Sequence, residues 1–222
     1  MPNAESPLYL KQMELGPMDN FVYLVGDKNT REVLVVDPAW QVDTILKAAR
    51  AEDLKIKGAL VSHFHFDHTN GIEELLESVD CPVYVNKKDA SSMEYSHDNI
   101  KRVDDGHRVK VGEIEISLIH TPGHTPGSQC FHVQDRLISG DTLFIGACGR
   151  CDLPGGNAKE MYYTLTQRLM KFDDSTILCP GHNYAEKPTA TMGEQKKTNP
   201  YLMCDSLDNF LKFRTGVSEY RV

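Results

Sequence analysis

Long hydrophobic runs are missing: no apolar stretch in the 222 residues approaches the roughly 20 needed to cross a bilayer as a helix, so a helical membrane protein is not expected. Basic excess is missing too. The 24 Lys and Arg against 32 Asp and Glu leave a formal charge of -8, and no basic run carries interleaved aromatics, so nucleic acid is not an expected partner. The opening MPNAESPLYLKQMELG has no basic segment leading into an apolar one, which makes a cytoplasmic location the expectation. Cysteine is sparse and dispersed, at 81, 130, 148, 151, 179 and 204, in a chain too large to need stapling, so a disulfide framework is not expected. Cys148 and Cys151 form one CxxC, open to a redox or half-zinc-site reading but without a second pair to support it.

What remains is an ordinary globular composition, 40% hydrophobic and 25% charged, of a length that one core can serve. A single domain over residues 1–222 is expected, with a short helical C-terminal tail from about residue 189. NFVYLV at 20–25 and EVLVVD at 32–37 read as strands joined by a turn. Val42, Ile45, Leu46 and Ala49 share one helical stripe, and 56–62 reads as a buried strand. A helix at about 71–78, a short strand at 82–85 and a hairpin ending in the alternating EIEISLI (113–119) follow. HTPGHTPG (120–127) must be a loop, since two Pro-Gly pairs punctuate it. Strands at about 128–133, 136–140 and 176–180 and a helix stripe of Met161, Leu165 and Leu169 complete the pattern. Two series of strands with helices after them predict an α/β sandwich of two mixed sheets covered by helices.

Polar residues collect where these strands end. His63, His65, Asp67 and His68 follow 56–62, His124 follows 113–119, Asp141 follows 136–140, and His182 follows 176–180. Loops on a rigid sheet edge can hold such groups in convergent geometry. Residues two apart in an extended segment point the same way, so His63 and His65 can grip one metal while the following turn swings Asp67 and His68 towards a second. A random chain of this length contains HxHxDH with probability on the order of 0.001. Imidazole with carboxylate suits zinc, iron or manganese. His97, His107, His120 and His132 have no such company and read as solvated or hydrogen-bonded, with His120 the best of them for a supporting role beside His124.

SHFHFDHTNG (62–71), HTPGHTPGS (120–128), SGDTLF (139–144) and PGHNY (180–184), in that order, resemble the metallo-β-lactamase superfamily. The resemblance implies a four-layer αββα sandwich. It also implies a first metal on His63, His65 and His124, a second on Asp67, His68 and His182, and Asp141 bridging both. Within the superfamily the chain is similar to glyoxalase II, the hydroxyacylglutathione hydrolases, and to the related persulfide dioxygenases. Arg150 in CGRCD falls where glyoxalase II has a basic residue contacting glutathione, and Tyr184 in GHNY falls on a glutathione-contacting tyrosine. A guanidinium suits a substrate carboxylate because it can grip it bidentately. The plain alternatives are a structural ion pair for Arg150 and a hydrogen-bonded core tyrosine for Tyr184.

Two readings of activity follow from the resemblance. With two divalent ions the chain is a thioester hydrolase using metal-bound hydroxide, Asp67 orienting that nucleophile and a small glutathione thioester or similar thiol-derived molecule as substrate. With a single Fe(II) on His63, His124 and Asp141 it is a persulfide dioxygenase. β-Lactam hydrolysis ranks below both, because the true β-lactamases lack a carboxylate matching Asp141.

Overall fold

The computed structural model describes residues 6–93 and 98–215. His97 and residues 216–222 of the tail lie outside the described residues. The chain opens with β1 (Leu8–Leu15), β2 (Asn20–Asp27) and β3 (Glu32–Val36), then α1 (Val42–Ala51) and β4 (Lys55–Leu60). α2 (Phe66–Thr69), α3 (Ile72–Ser78), β5 (Val83–Asn86), α4 (Lys87–Ala90) and β6 (Ile100–Val103) follow. These six strands make one mixed sheet in chain order, with β1, β2 and β3 antiparallel and β3 to β6 parallel.

The second half holds β7 (Arg108–Val111), β8 (Ile114–His120), β9 (Gln129–Val133), β10 (Arg136–Gly140) and a two-stranded ribbon of β11 (Leu143–Phe144) and β12 (Ala147–Cys148). After α5 (Ala158–Tyr163) come β13 (Ile177–Pro180), β14 (Ala190–Thr191), α6 (Met192–Thr198) and α7 (Leu207–Thr215). The second sheet runs β14-β13-β10-β9-β8-β7, with β10 and β13 parallel and the rest antiparallel.

Period-two alternation builds the layers. Along β2, Phe21, Tyr23 and Val25 face Ile116, Leu118 and Phe131 of the opposite sheet, while Val22 and Leu24 face the other way, onto Val42, Ile45, Ile72 and Leu75 of the outer helices. β2 is therefore buried on both faces over its whole length. The outer face of the second sheet, Cys130, Leu137 and Leu178, is covered by Met161, Leu165, Met192 and Phe210. The result is the four-layer αββα sandwich, and truncating a side chain such as Phe131 in its centre would cost about 3–5 kcal/mol.

Several elements depart from the sequence pattern. β1 was not expected: its residues are mostly half-buried on both faces, so no alternation marks it, yet it pairs with β2 over eight positions. The tail, expected as helix from about 189, first adds β14 to the edge of β13, and only then starts α6 at a capping box of Thr191 and Glu194. A two-residue edge strand is too short to carry a period.

Both sheets send strand ends to the same edge of the sandwich. There Phe21 N–H donates to Gly181 O at 2.8 Å and Gly181 N–H to Gly140 O at 2.9 Å, joining β2, β10 and the loop after β13. This seam sets the distance between the loops that carry the histidines.

Candidate metal centre

The HxHxDH segment leaves β4 extended and turns into α2 at His65. That geometry splits its four polar residues. His63 Nε2 and His65 Nδ1 lie 3.0 Å apart, and His124 Nε2, brought by the loop after β8, lies 3.0 Å from His65 Nδ1. On the other side His68 Nε2 and His182 Nε2 lie 3.1 Å apart, each 3.4 Å from Asp67 Oδ2. Asp141 stands between the two groups: Oδ1 is 3.3 Å from His68 Nε2, and Oδ2 is 3.4 Å from His182 and 3.7 Å from His124. All seven residues named from the sequence thus converge on one spot.

The outer nitrogens are tied down. His124 Nδ1 donates to Arg150 O at 2.7 Å and His182 Nδ1 to Met18 O at 2.8 Å. A carbonyl only accepts, so in these rings Nδ1 carries a proton and Nε2 is the nitrogen turned towards the centre. His68 Nδ1 meets Asp37 Oδ2 at 2.9 Å, and His63 Nδ1 meets Ser62 Oγ at 3.0 Å.

The electrostatics divide in the same way. Burial, then neighbouring imidazoles, push His63 well below the usual histidine range, and His65 falls to about 4 for the same reasons. Burial opposes charge on His182 too, but its bonds to Asp141 and Asp67 win and raise it to about 9. His68 is raised well above its usual value by Asp141 and Asp37 against the same penalty. Burial would raise the Asp67 and Asp141 carboxyls, yet His68 and His182 hold both well below the usual range.

A cation fits here. Asp141 Oδ1 is buried without a hydrogen-bond partner, and inward ring nitrogens face one another at hydrogen-bond distance where at most one proton could be shared. An unpaired buried carboxylate oxygen is costly unless a positive charge stands beside it. Three clusters could each hold an ion: His63 with His65 and His124; Asp67 with His68 and His182; and His63 with His68 and Asp141. Nitrogen and carboxylate oxygen without thiolate is the donor set of zinc, iron or manganese.

Other sequence readings divide. The Arg150 guanidinium sits in a bidentate pair with Asp152, at 3.1 and 2.7 Å, and it is the Arg150 carbonyl that touches the centre. Tyr184 is 58% exposed, so it is no core residue; its ring stacks on His182 with centroids 4.7 Å apart. His120 Nε2 donates to Pro126 O at 2.8 Å, bracing its own loop and touching no ligand. His107 packs on Tyr84 and His132 on Phe172. Cys148 is buried and Cys151 partly so, both as free thiols, and among the described residues no cysteine joins a cluster that could hold an ion.

Four supporting residues were not named from the sequence. Asp37 ends the strand EVLVVD, and the strand-end rule that found Asp141 could have found it. Asp89, buried on α4, accepts from Phe64 N–H at 3.1 Å, Thr125 Oγ1 at 2.6 Å and Gly127 N–H at 2.5 Å, tying the two histidine loops together. Asn20 donates to Asp67 Oδ2 and accepts from Trp40 Nε1. Nothing in the residue types around Asp89, Asn20 and Trp40 announces those bonds.

A two-sheet sandwich with a histidine and aspartate centre at one sheet edge defines a class of metal-dependent proteins. Residues 15–182 match the model of the metallo-β-lactamase superfamily, and the chain belongs to that family. It is 29% identical over 195 residues to the probable polyketide biosynthesis zinc-dependent hydrolase BaeB of Bacillus velezensis, covering 88% of this chain and 87% of that protein. The probable hydroxyacylglutathione hydrolase glo2 of Schizosaccharomyces pombe is 29% identical over 232 residues, covering 89% of this chain and 87% of its own length. Among solved structures, ETHE1 from Myxococcus xanthus superposes with a TM-score of 0.86 at 29% identity, over 96% of this chain and 92% of that one. Among the described residues no helix is long and apolar enough to cross a membrane.

Proposed function

We propose that the chain is a thioester hydrolase of hydroxyacylglutathione hydrolase type, working with two divalent metal ions. The observation that carries this reading is the pair of facing triads with Asp141 between them. His63, His65 and His124 would hold one ion, Asp67, His68 and His182 the other, with Asp141 shared. Two ions so placed would lower the pKa of a water towards neutrality and polarise the thioester carbonyl.

The protein's own contribution is position. Asp67, with Oδ2 held by Asn20 at 3.0 Å, orients the attacking water. The thiol leaving group departs as a thiolate and needs little proton help. Arg150 offers a cation at the rim for a carboxylate of the thiol carrier; its pair with Asp152 is solvent-exposed and weak enough to exchange. Tyr184, flat against His182, offers the carrier a second contact.

A single-iron persulfide dioxygenase would use only His63, His124 and Asp141. His65, Asp67, His68 and His182 would then stand as hydrogen-bonded neighbours of that iron, so their presence alone does not decide nuclearity and the metal count does. The test is metal content by mass spectrometry beside parallel assays of S-lactoylglutathione hydrolysis and persulfide-dependent oxygen uptake. Two ions per chain with thioester cleavage support the proposal; one iron with oxygen consumption overturns it.

A further inference from the structure

Exposed large apolar side chains are not scattered evenly over this surface. Of the six among the described residues, three (Met18, Phe66 and Tyr184) belong to segments that supply the metal centre. Single exposed apolar residues need no explanation, whereas a group of them at one mouth does. Tyr184 belongs to the rim of the second sheet, where Phe144 of β11 packs on it at 5.4 Å. The other two sit across the centre, on the loops of the first sheet.

There Trp40 joins them. Its ring meets Phe66 edge-on, with centroids 6.0 Å apart, and covers Gly16 so closely that a Cβ at Gly16 would fall within the indole. Trp40 has φ +62°, in the left-handed region where a bulky residue is an outlier. Backbone of that kind persists only where the surroundings impose it, and it gathers at functional sites. The restraints here are specific: Trp40 N–H donates to Asn70 Oδ1 at 2.6 Å and Trp40 Nε1 to Asn20 Oδ1 at 2.8 Å, and Asn20 in turn holds Asp67. Met18 is tied to the same half of the centre through its carbonyl, which accepts from His182. Phe66, between His65 and Asp67 in sequence, is 67% exposed.

The two rims of the centre therefore differ: the second-sheet rim carries Tyr184 and the pair of Arg150 and Asp152, and the first-sheet rim carries an aromatic and thioether shelf of Trp40, Phe66 and Met18. On the thioesterase reading above, on which this inference rests, a substrate has two arms that leave the scissile carbonyl in opposite directions. We infer that Trp40, Phe66 and Met18 bind the acyl arm, so that among thioesters an apolar acyl chain or ring is taken in preference to a small hydroxylated one. The charged thiol carrier then lies along the Arg150 rim. Continuity with the metal centre argues for that occupant: Phe66 immediately precedes Asp67, and Trp40 is joined to Asp67 through Asn20.

The sequence contains one tryptophan, so all indole emission reports this shelf. Binding of S-hexylglutathione and S-methylglutathione to the metal-loaded protein is the direct test, since neither can be hydrolysed. The hexyl compound is expected to bind about tenfold more tightly and to shift Trp40 emission to the blue, while the methyl compound leaves the emission in place. In Phe66→Ala, an exposed truncation whose fold is checked by circular dichroism, the hexyl-to-methyl affinity ratio should fall close to one. Equal affinities in the wild type with unchanged emission overturn the shelf.

Turnover of S-hexanoylglutathione and S-lactoylglutathione separates the two readings. Lactoyl and hexanoyl cleaved equally, with no emission change, would leave the hydrolase standing and remove the shelf. Neither cleaved, with hexyl binding and its emission shift intact, would remove the hydrolase and keep the shelf as an apolar-ligand site.

Discussion

Asp37 Oδ2 lies 2.9 Å from His68 Nδ1 and accepts the Ser62 hydroxyl at 2.6 Å, while its Oδ1 accepts Ser62 N–H at 2.6 Å. Ser62 Oγ is in turn 3.0 Å from His63 Nδ1. One buried carboxylate at the end of β3 thus orients a histidine from each triad. Asp37→Asn keeps the size but replaces an acceptor with a donor, facing groups that themselves donate. Metal affinity should fall about 10–100-fold, and stability by about 1–3 kcal/mol. A chelator competition curve identical to wild type would refute the link.

Asp67 differs in kind. It is only partly buried, and its side-chain oxygen accepts one hydrogen bond from a non-histidine partner, Asn20, so removing it costs the fold little. In Asp67→Ala, turnover should drop by about a hundredfold or more while stability changes by about 1 kcal/mol. Wild-type turnover in that variant would exclude Asp67 as the orienting residue.

How much of this could be read from the residues alone follows from the range of each signal. The seven ligand candidates were legible because each sits at a strand end, and strands announce themselves through side-chain period. Asp37 obeyed the same rule but stood apart from any histidine in sequence. The Asn20, Trp40 and Asp67 chain joins residues 20 to 47 positions apart, and no local pattern predicts which Asn will find which Asp. Arg150 shows the opposite hazard: its side chain drew attention, yet its carbonyl makes the structural contact. β1 was lost because half-burial on both faces erases alternation.

The cysteines divide by burial. Desolvation raises all six thiols, Cys81 and Cys130 to about 11 and Cys148 and Cys179 to about 12, but only Cys151 and Cys204 are also partly exposed. A raised thiol pKa means less thiolate at a given pH, and thiolate is the reactive form. At pH 8 in the native protein, iodoacetamide should label only Cys151 and Cys204, the two that are partly exposed. Labelling at Cys148 should stay low until the pH approaches 12 or the chain unfolds. Peptide mapping by mass spectrometry reads this directly, and early modification of Cys148 would revive a redox role for the CxxC.

Gly149 is where the thiol loop and the metal centre touch. A Cβ there would run into the Asp141 carbonyl oxygen and approach the His124 ring within 3.1 Å. Neither neighbour can yield without moving a proposed ligand. Gly149→Ala should therefore cost about 1–3 kcal/mol through overpacking and also lower the metal content. Gly146, three residues earlier, is the control. It has φ +73° with open space around it, so Gly146→Ala strains the backbone by about 1 kcal/mol without pressing on any ligand. If both variants lose the same stability but keep full metal occupancy, the approach at Gly149 is a packing constraint alone. If only Gly149→Ala loses metal, the spacing between β12 and Asp141 is part of how the centre is held.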